Sequence, residues 1–190
     1  MLELNKSYNR KQQTHEDYLW GLNEAWVLAK KHLENTYTKR SGVSYLKHVE
    51  DGLKILDLIG ACRTAKRAFC LHPLLQNDTE LFNNLDEVCS YCRDTRAVAL
   101  AMEYRWIANT NLRHSVKDRG WTIPHLNLLP CVKNMLIADK IQNLMDFRTY
   151  QKLPSRDTNE LETYFSVWLS ALGVSSIEYN EIVRIIEEKP

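Results

Sequence analysis

The chain has 190 residues, enough to bury a sizeable core within one domain of ordinary size. Its 25 basic and 24 acidic residues nearly cancel, so no global field selects nucleic acid or a membrane surface. No apolar run reaches the roughly 18 residues of a membrane span, and the stretch MLELNKSYNRKQQTHEDY lacks the apolar middle of a signal peptide; a soluble, cytoplasmic protein is expected.

In chain order the apolar spacing is helical almost throughout, and no strand-length alternation appears, so the expected class is all-α. A first helix is expected over 17–33, with Leu19, Leu22, Trp26, Ala29 and Leu33 on one stripe. TKRSGVS reads as a loop into a second helix over 44–58, with Leu46, Val49, Leu53 and Leu56 inward and Gly60 at its end. A third helix over 62–72 stops at Pro73, which has no amide proton to donate and disfavours an α conformation at His72. QNDTELFNNL opens a fourth helix capped by Asp78 or Thr79. A fifth covers 95–112.

HSVKDRGWTIPHLNLLP, with Gly120, Pro124 and Pro130, is then expected to be a long loop or lid. Its Trp121 either anchors a partner or pins the loop to the core, whereas Trp106, Tyr164, Phe165 and Trp168 read as core. A sixth helix covers 131–147. Two more follow at 158–171 and 176–188, the last opened by a Ser175 and Glu178 capping box. Residues 1–150 are expected to form the helical core and 151–190 an extension packed on it.

Five cysteines, Cys62, Cys70, Cys89, Cys92 and Cys131, lie mostly within apolar helical patterns and read as reduced core residues. A zinc site at CSYC needs two more ligands, and only one cysteine and scattered histidines follow.

Three segments carry the chemistry: KRSGVSYLKH from Lys39, LH at 71–72 and MLIADKIQNL from Met135. Asp139 lies within an apolar helix face, where an unpaired carboxylate is costly. In order and separation these segments resemble the HD-domain phosphohydrolases, most closely the alarmone hydrolase domain of the RelA/SpoT group. That family has an Arg-x-Ser-Gly loop before Tyr-x-x-His, then His-Asp followed by Glu-Asp, then Leu-Ala-Asp-Arg-x-x-Asn. The resemblance covers about residues 15–150. It implies a helical bundle in which two histidines and two aspartates hold one divalent cation, usually manganese, that activates water against a pyrophosphate ester.

Carried over residue by residue, the resemblance implies His48, His72 and Asp139 as metal ligands. It implies Lys39, Arg40, Ser41, Tyr45 and Asn143 as nucleotide-binding positions, with Lys39 where the family has arginine. The departures fall where chemistry would occur. Pro73 replaces the second aspartate, and Gln76 and Asn77, neither of which takes a proton near neutral pH, replace the Glu-Asp pair. Asp78 stands one residue on as a possible substitute base, with a helix cap as its ordinary role. Lys140 replaces the arginine after the ligand aspartate, and Asp146 adds a carboxylate that would repel phosphate or serve as a replacement ligand.

The expected function is therefore a catalytically inactive HD-type protein, without metal or with weakly bound manganese, that binds a nucleotide or a partner protein. The alternative is a divergent metal-dependent phosphohydrolase acting on an alarmone or other nucleotide. Residues 39–67 carry seven cationic side chains against three acidic ones, an excess that a solvated helix face also explains, so nucleic acid is not the expected partner.

Overall fold

The computed structural model describes residues 24–38, 42–124, 127–150 and 156–188. Among them it is all-α, with nine α-helices, one 3-10 turn and, in place of strands, a single isolated bridge between Tyr37 and Ser44. No described helix is long and apolar enough to cross a membrane.

Helix α1 (Glu24–Leu33) buries Ala25, Leu28, Ala29 and Leu33, a stripe at steps of three and four. Trp26, expected on it, is only partly buried, because Ala25 takes the inward position beside it. Leu19 and Leu22 lie outside the described residues.

Helix α2 (Tyr45–Leu58) starts where the Ser44 hydroxyl accepts the amide of Leu46, and buries His48, Val49, Asp51, Gly52, Leu53, Ile55, Leu56 and Leu58. Gly60 follows it at φ 67°, a conformation that costs glycine little, and the chain turns back with Ala61 N–H donating to Leu56 O.

Helix α3 (Arg63–Leu71) buries Ala65, Ala68, Phe69, Cys70 and Leu71 and runs directly into the 3-10 turn His72–Leu74. His72 is helical (φ −57°, ψ −39°), contrary to the expectation that Pro73 would push it out of the α region. Two bonds outweigh that bias: its imidazole Nδ1 donates to Phe69 O at 2.6 Å, and its carbonyl accepts from Leu75 N–H. A helical residue before proline is disfavoured, not forbidden.

Helix α4 (Asp78–Tyr91) is capped by neither Asp78 nor Thr79. Asn77 caps it, in a reciprocal box with Glu80, since its side chain reaches the Glu80 amide at 2.9 Å. Helix α5 (Thr95–Thr110) is capped by Asp94 and presents Ala97, Ala101, Tyr104, Ile107 and Ala108 inward, and its small residues let α3 pack closely against it. Trp106 is two-thirds exposed at 67%, not core, because it faces away from that stripe.

The expected long loop contains a short helix, α6 (Arg113–Asp118), whose end is turned by Gly120 and Trp121, both at positive φ. A tryptophan at φ 60° is strained by about 1–3 kcal/mol; packing of its ring against the core holds it there.

Helix α7 (Pro130–Tyr150) begins on the proline and runs three residues past its expected end. From 135 to 142 it is buried on every side, and its buried Val132, Met135, Leu136, Ile137, Ala138, Ile141 and Leu144 are joined by Asp139, Lys140 and Gln142. Helices α2, α3, α5, α8 (Arg156–Ala171) and α9 (Ser176–Glu187) surround it. Trp168, Phe165 and Ile182 from the last two belong to the same buried core as Leu53 and Leu136. The Ser175–Glu178 capping box opens α9 as expected.

Close approach of α2 and α3 depends on Gly52, because a Cβ there would overlap the fully buried Phe69 ring. Alanine gains about 1 kcal/mol of helix propensity but overpacks a rigid aromatic at a typical cost of about 1–3 kcal/mol. Gly52→Ala is therefore expected to destabilise the fold in urea denaturation, and an unchanged or raised midpoint would show that Phe69 has room to move.

Candidate metal centre

Three helices each deliver one group to a single point. His48 lies one turn into α2, His72 ends α3, and Asp139 sits in the middle of α7. All three are buried, with one ligand atom from each within 4.8 Å of the others. Asp139 Oδ1 lies 3.5 Å from His48 Nε2 and 3.9 Å from His72 Nε2, and the two imidazole rings are 5.6 Å apart.

The surrounding bonds decide which nitrogens face the centre. His72 Nδ1 is used by the Phe69 carbonyl, and His48 Nδ1 contacts the Oε1 of Gln142, so in each neutral ring the lone pair belongs to Nε2. Gln142 in turn donates to Asp146 Oδ2 at 2.7 Å, linking His48 through an amide to a second carboxylate. Phe69 and Tyr104 pack on His72, with ring centroids 4.5 and 4.9 Å away.

Asp139 is more heavily engaged than a simple ligand. Asn143 Nδ2 donates to its Oδ1 at 2.8 Å and to its carbonyl at 2.8 Å, while the Lys140 ammonium lies 2.7 Å from Oδ2. Successive helix residues do not normally face each other. Lys140 reaches back because it is buried between Asp139 and the rings of Trp168 and Tyr164, 5.1 and 6.0 Å from their centroids.

Burial opposes ionisation of Asp139, but Lys140 and the two histidines outweigh it and hold the carboxyl well below its usual range. Lys140 moves the opposite way: burial works against its charge, Asp139 prevails, and its pKa is raised. Both shifts describe one ionised pair. Burial pushes His72 down to about 4 despite Asp139. In His48 burial also lowers the pKa, yet Asp139, Gln142 and Asp146 together leave it raised. Burial raises Asp146, and the neighbouring Asp51 charge adds to this.

The other expected site residues are dispersed. Lys39, Arg40 and Ser41 lie outside the described residues. Tyr45 is the exposed first residue of α2. Asn143 belongs to the centre through its bonds to Asp139. Gln76 is tied to Asn109 by two bonds, 3.1 Å from its side chain and 2.9 Å to its carbonyl, and Asn77 is spent on its cap. Asp78 has a 97% exposed side chain paired with Arg105, so it does not replace a buried base.

Sequence reasoning missed Gln142, Asp51, Tyr104 and Phe69. Gln142 lies three residues after Asp139 and Asp51 three after His48, spacings that place each on the same helix face as that member of the centre. Asp51 is buried and meets Lys47 and Lys54. Phe69 likewise stands three residues before His72, whereas Tyr104 had no such signal, because it arrives from α5. The cysteines also depart from expectation: Cys70 and Cys92 are buried, but Cys62 and Cys89 are exposed, since both lie at helix edges.

The chain matches no family model, no curated protein and no solved structure. Fold and site together define an all-α protein with a buried two-histidine, one-aspartate centre. Ligands about 2.1 Å from a tetrahedral ion are roughly 3.4 Å apart. The observed separations approach this, so the group can hold a divalent cation after a small inward movement.

For His72 the folded pKa of about 4 lies below the ordinary 6.5. As pH falls between these values the unfolded chain takes up a proton that the folded chain refuses, so this residue removes stability over that window. The full effect is about 3 kcal/mol. Urea titrations of metal-free protein should show the unmodified chain losing about that much relative to His72→Gln between pH 7 and pH 4. A pH-independent difference would mean that His72 titrates normally.

Proposed function

We propose that this chain is a degenerate HD-domain protein, similar to the RelA/SpoT-type alarmone hydrolase domain, that binds a nucleotide or a partner protein and does not hydrolyse. One observation carries this reading: the Lys140 ammonium lies on Asp139, the only carboxylate of the three-residue centre. A resident charge already balances that acid, so a divalent ion would add uncompensated charge to a buried site. Pro73 stands where the family's second ligand aspartate would relieve this. Cation binding is accordingly weak. Manganese suits the mixed imidazole and carboxylate donors.

An anionic ligand changes the balance. A nucleotide's phosphates would bring the negative charge that the cation lacks, so the two bind cooperatively. Hydrolysis requires more, and the two positions that would supply a general base hold amides engaged elsewhere. General base assistance is worth about 10² to 10⁴ in rate, and a weakly held ion surrenders much of the several kcal/mol that an activated water provides.

The competing reading is a divergent phosphohydrolase. It is favoured by the two Nε2 atoms directed at the centre and by Asp146, linked to His48 through Gln142 and available as a substitute acid.

Calorimetric titration with manganese, alone and with guanosine alarmones or ordinary nucleotides, followed by assay of released pyrophosphate, separates the two. Weak manganese binding that tightens with nucleotide is expected, with no turnover above background. Release of pyrophosphate by the unmodified protein, lost in His48→Ala or Asp139→Ala, would establish the hydrolase instead. Lys140→Met provides a second test. Removing one partner of a buried pair costs about 3–5 kcal/mol in metal-free buffer, yet it frees Asp139, so manganese affinity should rise roughly tenfold or more. Unchanged affinity in that variant would show that Lys140 does not control the site.

A further inference from the structure

Away from this centre, Cys62 and Cys131 meet across the start of two helices. Their sulfurs are 3.1 Å apart although 69 positions separate them in the chain. Cys62 is the exposed residue preceding α3, in extended conformation, and Cys131 is the partly exposed second residue of α7. Both stand at the surface, where a small reagent can reach them. Cys89, by contrast, is exposed on α4 and is not in this pair.

We propose that Cys62 and Cys131 are a reactive dithiol that a low-molecular-weight disulfide converts into an intramolecular cross-link between α3 and α7. The separation is about 1 Å longer than a disulfide bond, a distance that side-chain rotation at helix ends can close. The two thiols have different parts. Burial raises the Cys62 pKa, but the Ala65 amide, the Cys131 thiol and the Thr64 amide outweigh it and leave the thiol lowered. Burial and the neighbouring Cys62 push Cys131 up to about 11. Cys62 therefore attacks first and Cys131 resolves.

In the first step the Cys62 thiolate attacks one sulfur of the small disulfide. A mixed disulfide forms, the small disulfide's S–S bond breaks, and one half leaves as a thiolate that takes up a proton. In the second, Cys131 loses its proton and attacks Cys62 Sγ, displacing the other half. Two electrons pass from the protein thiols to the small disulfide, and two small thiols are released. The product ties the helix that ends at His72 to the helix that carries Asp139.

The test is to incubate the full chain with oxidised and reduced glutathione, then quench with acid. Free thiols counted in denaturant should fall from the five present to three, and a non-reducing digest should contain one peptide pair joined through Cys62 and Cys131. Because the closed loop is long, the melting temperature should rise by roughly 10 °C, with no rise in Cys62→Ser or Cys131→Ser. In Cys131→Ser the mixed disulfide should accumulate on Cys62. Five surviving thiols, a stable mixed disulfide in the unmodified protein, a cross-link through Cys89, or an intermolecular dimer would each overturn the proposal. The peptide map of the unmodified chain decides the matter even if a serine variant folds poorly.

Discussion

A charged carboxylate in a stretch of helix buried on all sides is the constraint from which the centre follows. Asp139 projects from the buried middle of α7, where an isolated ion would be prohibitively costly. The fold answers with two donors and two neighbouring rings. Lys140 supplies charge, Asn143 supplies an amide, and His48 and His72 close the remaining side. Lys140 is itself costly to bury, which explains why Tyr164 and Trp168 from α8 lie against it. The last two helices thus help to enclose the centre as well as to complete the core.

The same arrangement sets what the centre can do. Each histidine has its outer nitrogen used, His72 by the carbonyl of Phe69 and His48 by Gln142, so both inner nitrogens face the aspartate. Such outer partners fix imidazole orientation at metal sites. The proximity of Lys140 works against a cation in the same place. A protein needing tight metal binding or a strong Lewis acid would gain from a second carboxylate, and the three-residue centre holds only Asp139. The balance suits a ligand that brings its own negative charge, the basis of the nucleotide-binding reading.

Packing around His72 shows how local bias yields to tertiary contacts. Proline after it favours extended backbone, yet His72 remains helical because its ring bonds back to Phe69 and packs against Tyr104. Phe69 in turn fits only because Gly52 on α2 has no side chain. One glycine, one aromatic ring and one ring-to-carbonyl bond therefore place a candidate ligand that the backbone preference alone would have moved.

The sequence by itself determined the all-α class, most helix positions and Asp139 as a buried charge, while His48 and His72 were offered as its companions only through the family resemblance. Apolar spacing reports which face of each helix is buried, and an aspartate within such a face signals a buried charge needing partners. Ser175 with Glu178 and Gly60 were equally legible, because caps and left-handed turns depend on neighbours within a few residues. The Asn77–Glu80 box is equally local, although Asp78 or Thr79 was the expected cap. Only the tertiary structure decided that Asp78 faces solvent beside Arg105 and that Gln142 steers His48. It alone brought Lys140 back onto Asp139 and Cys62 to Cys131. Those outcomes depend on groups distant in the chain, or on the enclosure that such groups provide, and spacing along the sequence records neither.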